Sequence, residues 1–164
     1  MRIEFGGGTS PKQSSYKQVD VRNFKGVSYV CNAWEITSHV KYETVTDIYS
    51  RHFFEHLTHS QALRTLDAWF KILTKGGRVH LICPNMRFHL DQWHNWKNLS
   101  PAEKNHCRAG FWGWQKEGDV SSWDLHKSGY DFDKLKELVE SKGFAKVKNL
   151  DDPDSKHLEV EFFK

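Results

Sequence analysis

Apolar positions fall in short runs, divided by glycine, proline and polar clusters, with two stretches of helical period among them. Ile3 and Phe5 open an apolar segment that ends at Gly6-Gly7-Gly8, which predicts a strand running into a glycine turn. Tyr16 to Val21 and Val27 to Cys31 predict two further strands, and Asp47 to Ser50, preceded by Val45, a fourth. Thr58-His59-Ser60-Gln61 matches a capping box, and Ala62, Leu63, Leu66, Trp69, Phe70 and Leu73 follow at helical spacing. Gly76-Gly77 is expected to stop that helix. Arg78 to Cys83 reads as a strand closed by Pro84.

Between Met86 and His126 no steady period holds. Trp93, Trp96, Phe111, Trp112, Trp114 and Trp123 fall among His, Lys, Asn and Gly, which predicts helical pieces and loops rather than a linker. Asp131 or Asp133 caps a second helix carrying Leu135, Leu138 and Val139 on one face, with Gly143 as its stop. Phe144 to Leu150 and Leu158 to Phe163 are two last strands. The turn signal Asp151-Asp152-Pro153-Asp154-Ser155 between them predicts an antiparallel pair. Strands alternating with helices place the chain in the α/β class, with a mostly parallel sheet that ends in an antiparallel hairpin. In such sheets ligands bind outside the carboxyl ends of the strands, so the first glycine turn is a candidate site.

The chemistry of that turn follows from its residues. A glycine after a strand lets the backbone bend sharply and approach a ligand that a Cβ would block. Asp20, at the end of the next strand, offers a carboxylate that accepts hydrogen bonds from two ribose hydroxyls. A nicotinamide fingerprint needs G-x-G-x-x-G and an acid about 20 residues on. Here the glycines are contiguous, the acid comes early and little room remains for a full first helix, which disfavours NAD.

Taken in order, the segments resemble class I S-adenosylmethionine (SAM)-dependent methyltransferases. Glu4-Phe5-Gly6-Gly7-Gly8, Val19-Asp20-Val21 and Cys31-Asn32-Ala33-Trp34-Glu35-Ile36 resemble the three nucleoside-binding segments of that family. Asp47 to Leu57 resembles the fourth-strand segment with its S-x-H-x-L-E-H pattern. Leu73-Thr74-Lys75-Gly76-Gly77-Arg78-Val79 resembles L-K-P-G-G-x-L, and Asp124-Leu125-His126-Lys127-Ser128-Gly129-Tyr130 a D-x-H-x-x-G-F element. Asn32 stands where the family often has Asp, and Thr74-Lys75 where Lys-Pro is common.

The last element and the short first crossover resemble a compact subgroup associated with saccharide and cell-envelope biosynthesis. The resemblance implies a Rossmann-like methyltransferase fold, with a seven-stranded-type sheet, a C-terminal antiparallel hairpin and a shortened first crossover. It implies one domain over residues 1–164, with residues 86–127 as an aromatic-rich insertion on the acceptor side.

It also implies site residues. Phe5, Gly6, Gly7 and Gly8 pass near the methionine end of SAM, Asp20 holds the ribose, and Asn32 accepts the adenine amine. Ala33 and Trp34 line the ring, while Ser50 and His52 lie at the mouth of the fourth strand. Asn32 keeps the acceptor geometry of a carboxylate and loses only its charge. A hydroxyl acceptor is helped by a base, and His is the side chain with a suitable ordinary pKa. His126 and His52 are the candidates for that role, with His56 close by in sequence; Glu55 either orients a His or, as the favoured reading, serves as a helix-start charge. Trp112, Trp114, Trp123 and His126 are expected to contact the acceptor, because Gly110, Gly113 and Gly118 make that stretch loop-like.

Composition narrows the partners. Twenty-four Lys and Arg against 21 Asp and Glu leave a net charge of +3 over 164 residues. That is too little for the dense basic stripe of a nucleic-acid scaffold, so a small-molecule acceptor is favoured over RNA or DNA. Three cysteines at unrelated spacings give no C-x-x-C, which suits a reduced, cytoplasmic setting. The start meets Gly6 before a signal-peptide apolar core forms, and no run approaches the ~18 apolar residues of a membrane span. His89, His94, His106 and Cys107 match no zinc-ligand spacing, so no metal is expected. The oligomeric state is expected to be monomer or homodimer. A cofactor-binding relative without catalysis, and a nucleic-acid methyltransferase, are the alternatives.

Overall fold

The computed structural model describes residues 1–115 and 122–164. Seven strands form one sheet: β1 (Arg2–Phe5), β2 (Lys17–Asp20), β3 (Val27–Val30), β4 (Val45–Arg51), β5 (Leu73–Pro84), β6 (Ala145–Asn149) and β7 (His157–Phe163). Their order is β3-β2-β1-β4-β5-β7-β6. β1 to β5 run parallel, and β7 lies antiparallel between β5 and β6. The helices are α1 (His59–Ile72), α2 (Met86–His94), α3 (Pro101–Trp112) and α4 (Phe132–Glu140), with a short 3-10 helix at Ala33–Ser38. No helix among the described residues is long and apolar enough to cross a membrane.

The elements follow from their side-chain periods. In β7 the alternation His-Leu-Glu-Val-Glu-Phe-Phe buries Leu158, Val160 and Phe162 on one face. In α1 the buried positions Ala62, Thr65, Leu66, Trp69 and Ile72 form one stripe, and Thr58 caps the helix by accepting the Gln61 backbone N–H. Asp131 is the cap of α4, accepting the Lys134 N–H.

One detail differs from expectation. The helix α1 ends at Ile72, and Gly76-Gly77 lie inside β5 rather than beyond a helix cap. Leu73 is fully buried and extended and already pairs with Val45, so tertiary burial starts the strand before the glycines are reached. Gly76 (φ 75°) then bends the strand, and pairing resumes at Arg78 against Asp47. The aromatic stretch folds into helical pieces and loops as its pattern suggests, with α2, a 3-10 turn at Trp96–Asn98 and α3. Ser100 caps α3 through the Glu103 N–H, with Pro101 opening the helix.

The first crossover, residues 6–16, holds no helix. Glu4, 2% exposed, anchors it instead. Its carboxylate accepts the Lys12 N–H at 2.9 and 3.1 Å and the Gln13 N–H at 2.7 Å. Backbone donors that a helix would satisfy internally are thereby satisfied by one side chain.

Hydrogen bonds to a charged group contribute about 1.5–3 kcal/mol. Glu4→Ala is therefore expected to lower unfolding free energy by at least about 2 kcal/mol in urea titration, with Glu4→Gln retaining part of the loss.

Candidate functional site

The parallel strands deliver their carboxyl ends to one edge, and the strand order reverses between β1 and β4. A crevice is expected at such a switch point, and one lies there. A narrow chamber of about 130 Å³ is walled by Phe5 and Gly6 after β1, and by Val19 to Arg22 at the end of β2. Cys31 to Trp34 after β3, His52, Phe53, His56, Leu57 and Gln61 after β4, and Trp123 and Asp124 from the segment before α4 complete the wall. Of the residues expected at a cofactor, it brings together Phe5, Gly6, Asp20, Asn32, Ala33, Trp34 and His52. Gly7, Gly8 and Ser50 do not line it. Ser50 pairs with Phe5 across the sheet and is fully buried, its hydroxyl without a hydrogen-bond partner.

Asp20 is 7% exposed and tied in place. Its Oδ2 accepts the Gly8 N–H at 3.2 Å and its Oδ1 the Arg22 N–H at 2.9 Å. Each oxygen keeps a lone pair for a ligand. Asn32 is oriented by Glu35, whose Oε2 accepts the Asn32 Nδ2 donor at 3.0 Å and its backbone N–H at 3.3 Å. The amide oxygen is left as an acceptor. Beside it, burial and then Glu35 push the Cys31 thiol up to about 11, so it stays protonated at neutral pH.

The glycine turn works differently at each position. Gly6 has φ 72°, and a Cβ there would lie 2.6 Å from the Phe53 side chain. Its bareness serves the close approach of Phe53. Gly8 (φ 56°) faces open space.

A second, wider cavity of about 710 Å³ adjoins the first and shares His52, His56 and Asp124 with it. Its wall carries six histidines: His52, His56, His89, His106, His126 and His157. Glu55, 1% exposed, lies among them. Its Oε1 is 3.2 Å from His52 Nδ1 and 4.0 Å from His126 Nε2, and its Oε2 has no partner. Glu55 is thus a buried group in the first turn of a short 3-10 helix (Phe54–His56), placed against the His52 ring. His52 sits at φ 48°, a left-handed conformation that costs a side-chain-bearing residue about 1–2 kcal/mol and aims the ring at the cavity mouth.

Burial dominates the electrostatics. It lowers the pKa of His126, His106 and His157, and it lowers that of His89 from 6.5 to about 4. These imidazoles are neutral at pH 7. His126 donates Nδ1–H to the Gly110 carbonyl (2.9 Å), and His56 donates Nδ1–H to the Leu125 carbonyl (3.1 Å). The His126 ring, kept neutral by burial, therefore holds Nε2 as a lone-pair atom. Gly110 has no room for a Cβ, because the His89 ring occupies that place.

The tryptophans separate. Trp114 lines the wide cavity and Trp123 the narrow chamber. Trp112 lies outside both, on a surface with Trp93, Trp96 and Arg108. Gly118 lies outside the described residues. Sequence reasoning missed Arg22, Phe53, His106 and His157 as wall residues. Arg22 follows the Asp20 motif directly, and that adjacency was its only signal.

The chain matches no protein-family model and no curated protein sequence. It is similar in structure to a SAM-dependent methyltransferase of Thermotoga maritima described as a possible histamine N-methyltransferase. The TM-score is 0.67 at 16% identity, over 99% of this chain and 81% of that one. A SAM-dependent methyltransferase of Archaeoglobus fulgidus gives TM-score 0.64 at 14% identity, over 99% and 85%. Phosphoethanolamine N-methyltransferase 2 of Haemonchus contortus, in complex with S-adenosyl-L-methionine, gives 0.55 at 15%, over 91% of this chain and 34% of that one. The fold is that of these methyltransferases. The sheet order, with its antiparallel β7 between β5 and β6, and the helix-poor first crossover accord with the expectation from sequence.

Because the folded pKa of His89 lies below its unfolded value, the unfolded chain binds that proton more readily. Stability is then complete above pH 6.5 and lost as pH falls towards 4. The thermal midpoint is expected to drop over that window, and His89→Gln to flatten the slope in a pH series of melts.

Proposed function

We propose that the chain is a SAM-dependent methyltransferase, a single domain over residues 1–164, acting on a small hydroxyl-bearing acceptor of saccharide type. One observation carries the reading. Asp20 and Asn32, from the ends of β2 and β3, face the same narrow chamber, and that chamber adjoins a wide histidine-lined cavity through His52 and His56.

The narrow chamber suits a nucleoside. The buried Asp20 carboxylate has lone pairs to spare for ribose hydroxyls, and Asn32 Oδ1 stands ready for the adenine amine. Ala33, Trp34 and Leu57 give the ring apolar walls. At 130 Å³ the chamber is smaller than the ~300–1,000 Å³ of ordinary ligand clefts, whereas the adjoining 710 Å³ lies within that range. The two together accommodate cofactor and acceptor. The solved Haemonchus contortus protein of the same fold is itself in complex with S-adenosyl-L-methionine.

When bound, SAM supplies a methyl group on a sulfonium, whose leaving group is a neutral thioether. The chain is left to align the acceptor and to take a proton. His126 presents Nε2 to the cavity, held by its Nδ1–H bond to Gly110 and kept neutral by burial. His52, at the boundary of the two chambers, is the second candidate. Trp114, in the wall of the wide cavity, offers an apolar face on which sugar C–H surfaces stack. The charge of the wide cavity supports an uncharged acceptor. Lys156 is its one Lys or Arg among the described residues, against Glu55 and Asp124. A phosphate-bearing nucleic acid finds no cationic track there.

Calorimetry with SAM and S-adenosylhomocysteine is expected to give saturable binding, weakened about 10- to 100-fold by Asp20→Ala, the range for losing a hydrogen bond to a charged group. No binding of either at millimolar concentration would sink the reading. Tight binding without transfer to a broad hydroxyl panel would favour a non-catalytic relative.

A further inference from the structure

Glu55 is the least satisfied charged group in the site. Its carboxylate is 1% exposed, and no Lys or Arg among the described residues pairs with it. Oε2 accepts no hydrogen bond. Burying a carboxylate without a compensating cation is costly, so the arrangement calls for a positive charge at that oxygen.

Two imidazoles stand where such a charge would be held. One donor atom of each of Glu55, His56 and His126 lies within 4.8 Å of the other two. The His56 and His126 rings are 5.0 Å apart, centre to centre. Each gives its Nδ1–H to a backbone carbonyl, Leu125 for His56 and Gly110 for His126. That outer bond is the one by which metal-binding histidines fix their tautomer and direct the other nitrogen at the ion. The carbonyls are themselves anchored. The Glu55 carbonyl accepts the Lys127 N–H at 2.8 Å and the Ser128 N–H at 3.1 Å, which clamps the 125–128 segment onto the turn that carries Glu55 and His56.

We propose that Glu55, His56 and His126 bind a divalent transition-metal ion of zinc type in the wall of the wide cavity. Two imidazoles and one carboxylate are a ligand set for zinc with at least one open position. Tetrahedral bonds of about 2.1 Å place ligand atoms about 3.4 Å apart, so the cluster closes by rotamer adjustments on the order of 1 Å. The imidazole pair selects against magnesium and calcium, which prefer all-oxygen shells. The open position faces the cavity proposed for the acceptor, where a bound hydroxyl becomes more acidic. In the loaded protein His126 Nε2 is a ligand, and His52 is the imidazole left to accept the proton. Metal binding itself does not rest on the methyltransferase reading, since it needs no nucleoside.

The test uses the full chain, freed of metal by chelation and without SAM. Zinc is expected to bind one to one by calorimetry and to raise the thermal midpoint, as any ligand selective for the folded state does. Cobalt is expected to give visible d–d absorption that zinc abolishes, and magnesium and calcium to give no shift. Glu55→Gln and His56→Ala are each expected to weaken zinc binding by more than about 100-fold, beyond the upper end for outer-shell losses. His106→Ala, in the same cavity but outside the cluster, is expected to keep the affinity. The proposal is overturned if wild-type protein shows no zinc-dependent shift. It is equally overturned if Glu55→Gln binds as wild type does, or if His106→Ala loses as much as His56→Ala. The wild-type outcome stands even where a variant fails to fold. SAM titration of the metal-free protein reports separately on the methyltransferase reading.

Discussion

The site depends on the peptide and side chain of a single buried residue. The Glu55 carbonyl takes two backbone donors from Lys127 and Ser128, while its carboxylate sits against His52 and near His126. One residue thus joins the turn after β4 to a segment far along the chain. Without that clamp, His126 would have no fixed relation to the strand ends. The His56 bond to the Leu125 carbonyl acts in the same direction. A loop bearing a functional side chain is positioned by satisfying its backbone groups, and here both partners come from the same short turn.

The sheet supplies the other half of the geometry. Parallel strands bring all their carboxyl ends to one edge, so residues distant in sequence meet there: Gly6, Asp20, Asn32 and His52. Parallel neighbours ordinarily need a crossover helix. Between β1 and β2 the chain does without one, because Glu4 gathers the backbone donors of the crossover on its carboxylate. The Gly8 N–H goes to Asp20 in turn. The crossover therefore ends up pinned to two acids, Glu4 in β1 and Asp20 in the wall of the narrow chamber.

The fold was legible because its signals are local and repeated. The alternation in β7, the Thr58 capping box and the Asp151–Ser155 turn each specify an element without reference to anything distant. The residues of the narrow chamber were legible for a related reason. Each stands directly after a strand, and strand ends converge. The end of α1 was misplaced because Leu73 leaves the helix to be buried beside Val45, a tertiary gain that outweighs the glycine stop signal. The wide cavity was hidden for a stronger reason. Its histidines come from the β4 turn, α2, α3, the 122–130 segment and β7, and no spacing rule links positions 56, 89, 126 and 157. Only folding shows that Gly110 is bare to admit His89 and that its carbonyl aims His126.

That gathering of imidazoles has an electrostatic consequence. A cavity with one lysine, two carboxylates and six histidines would be strongly cationic if the rings were charged. Burial prevents this, lowering His89, His106, His126 and His157 together, and each protonation would raise the cost of the next. The rings are thereby held as lone-pair donors at neutral pH. A wall of imidazoles around a buried carboxylate that no Lys or Arg among the described residues pairs with has no use for an anion. It suits taking up protons or ligating a cation beside the boundary that His52 and His56 share with the narrow chamber.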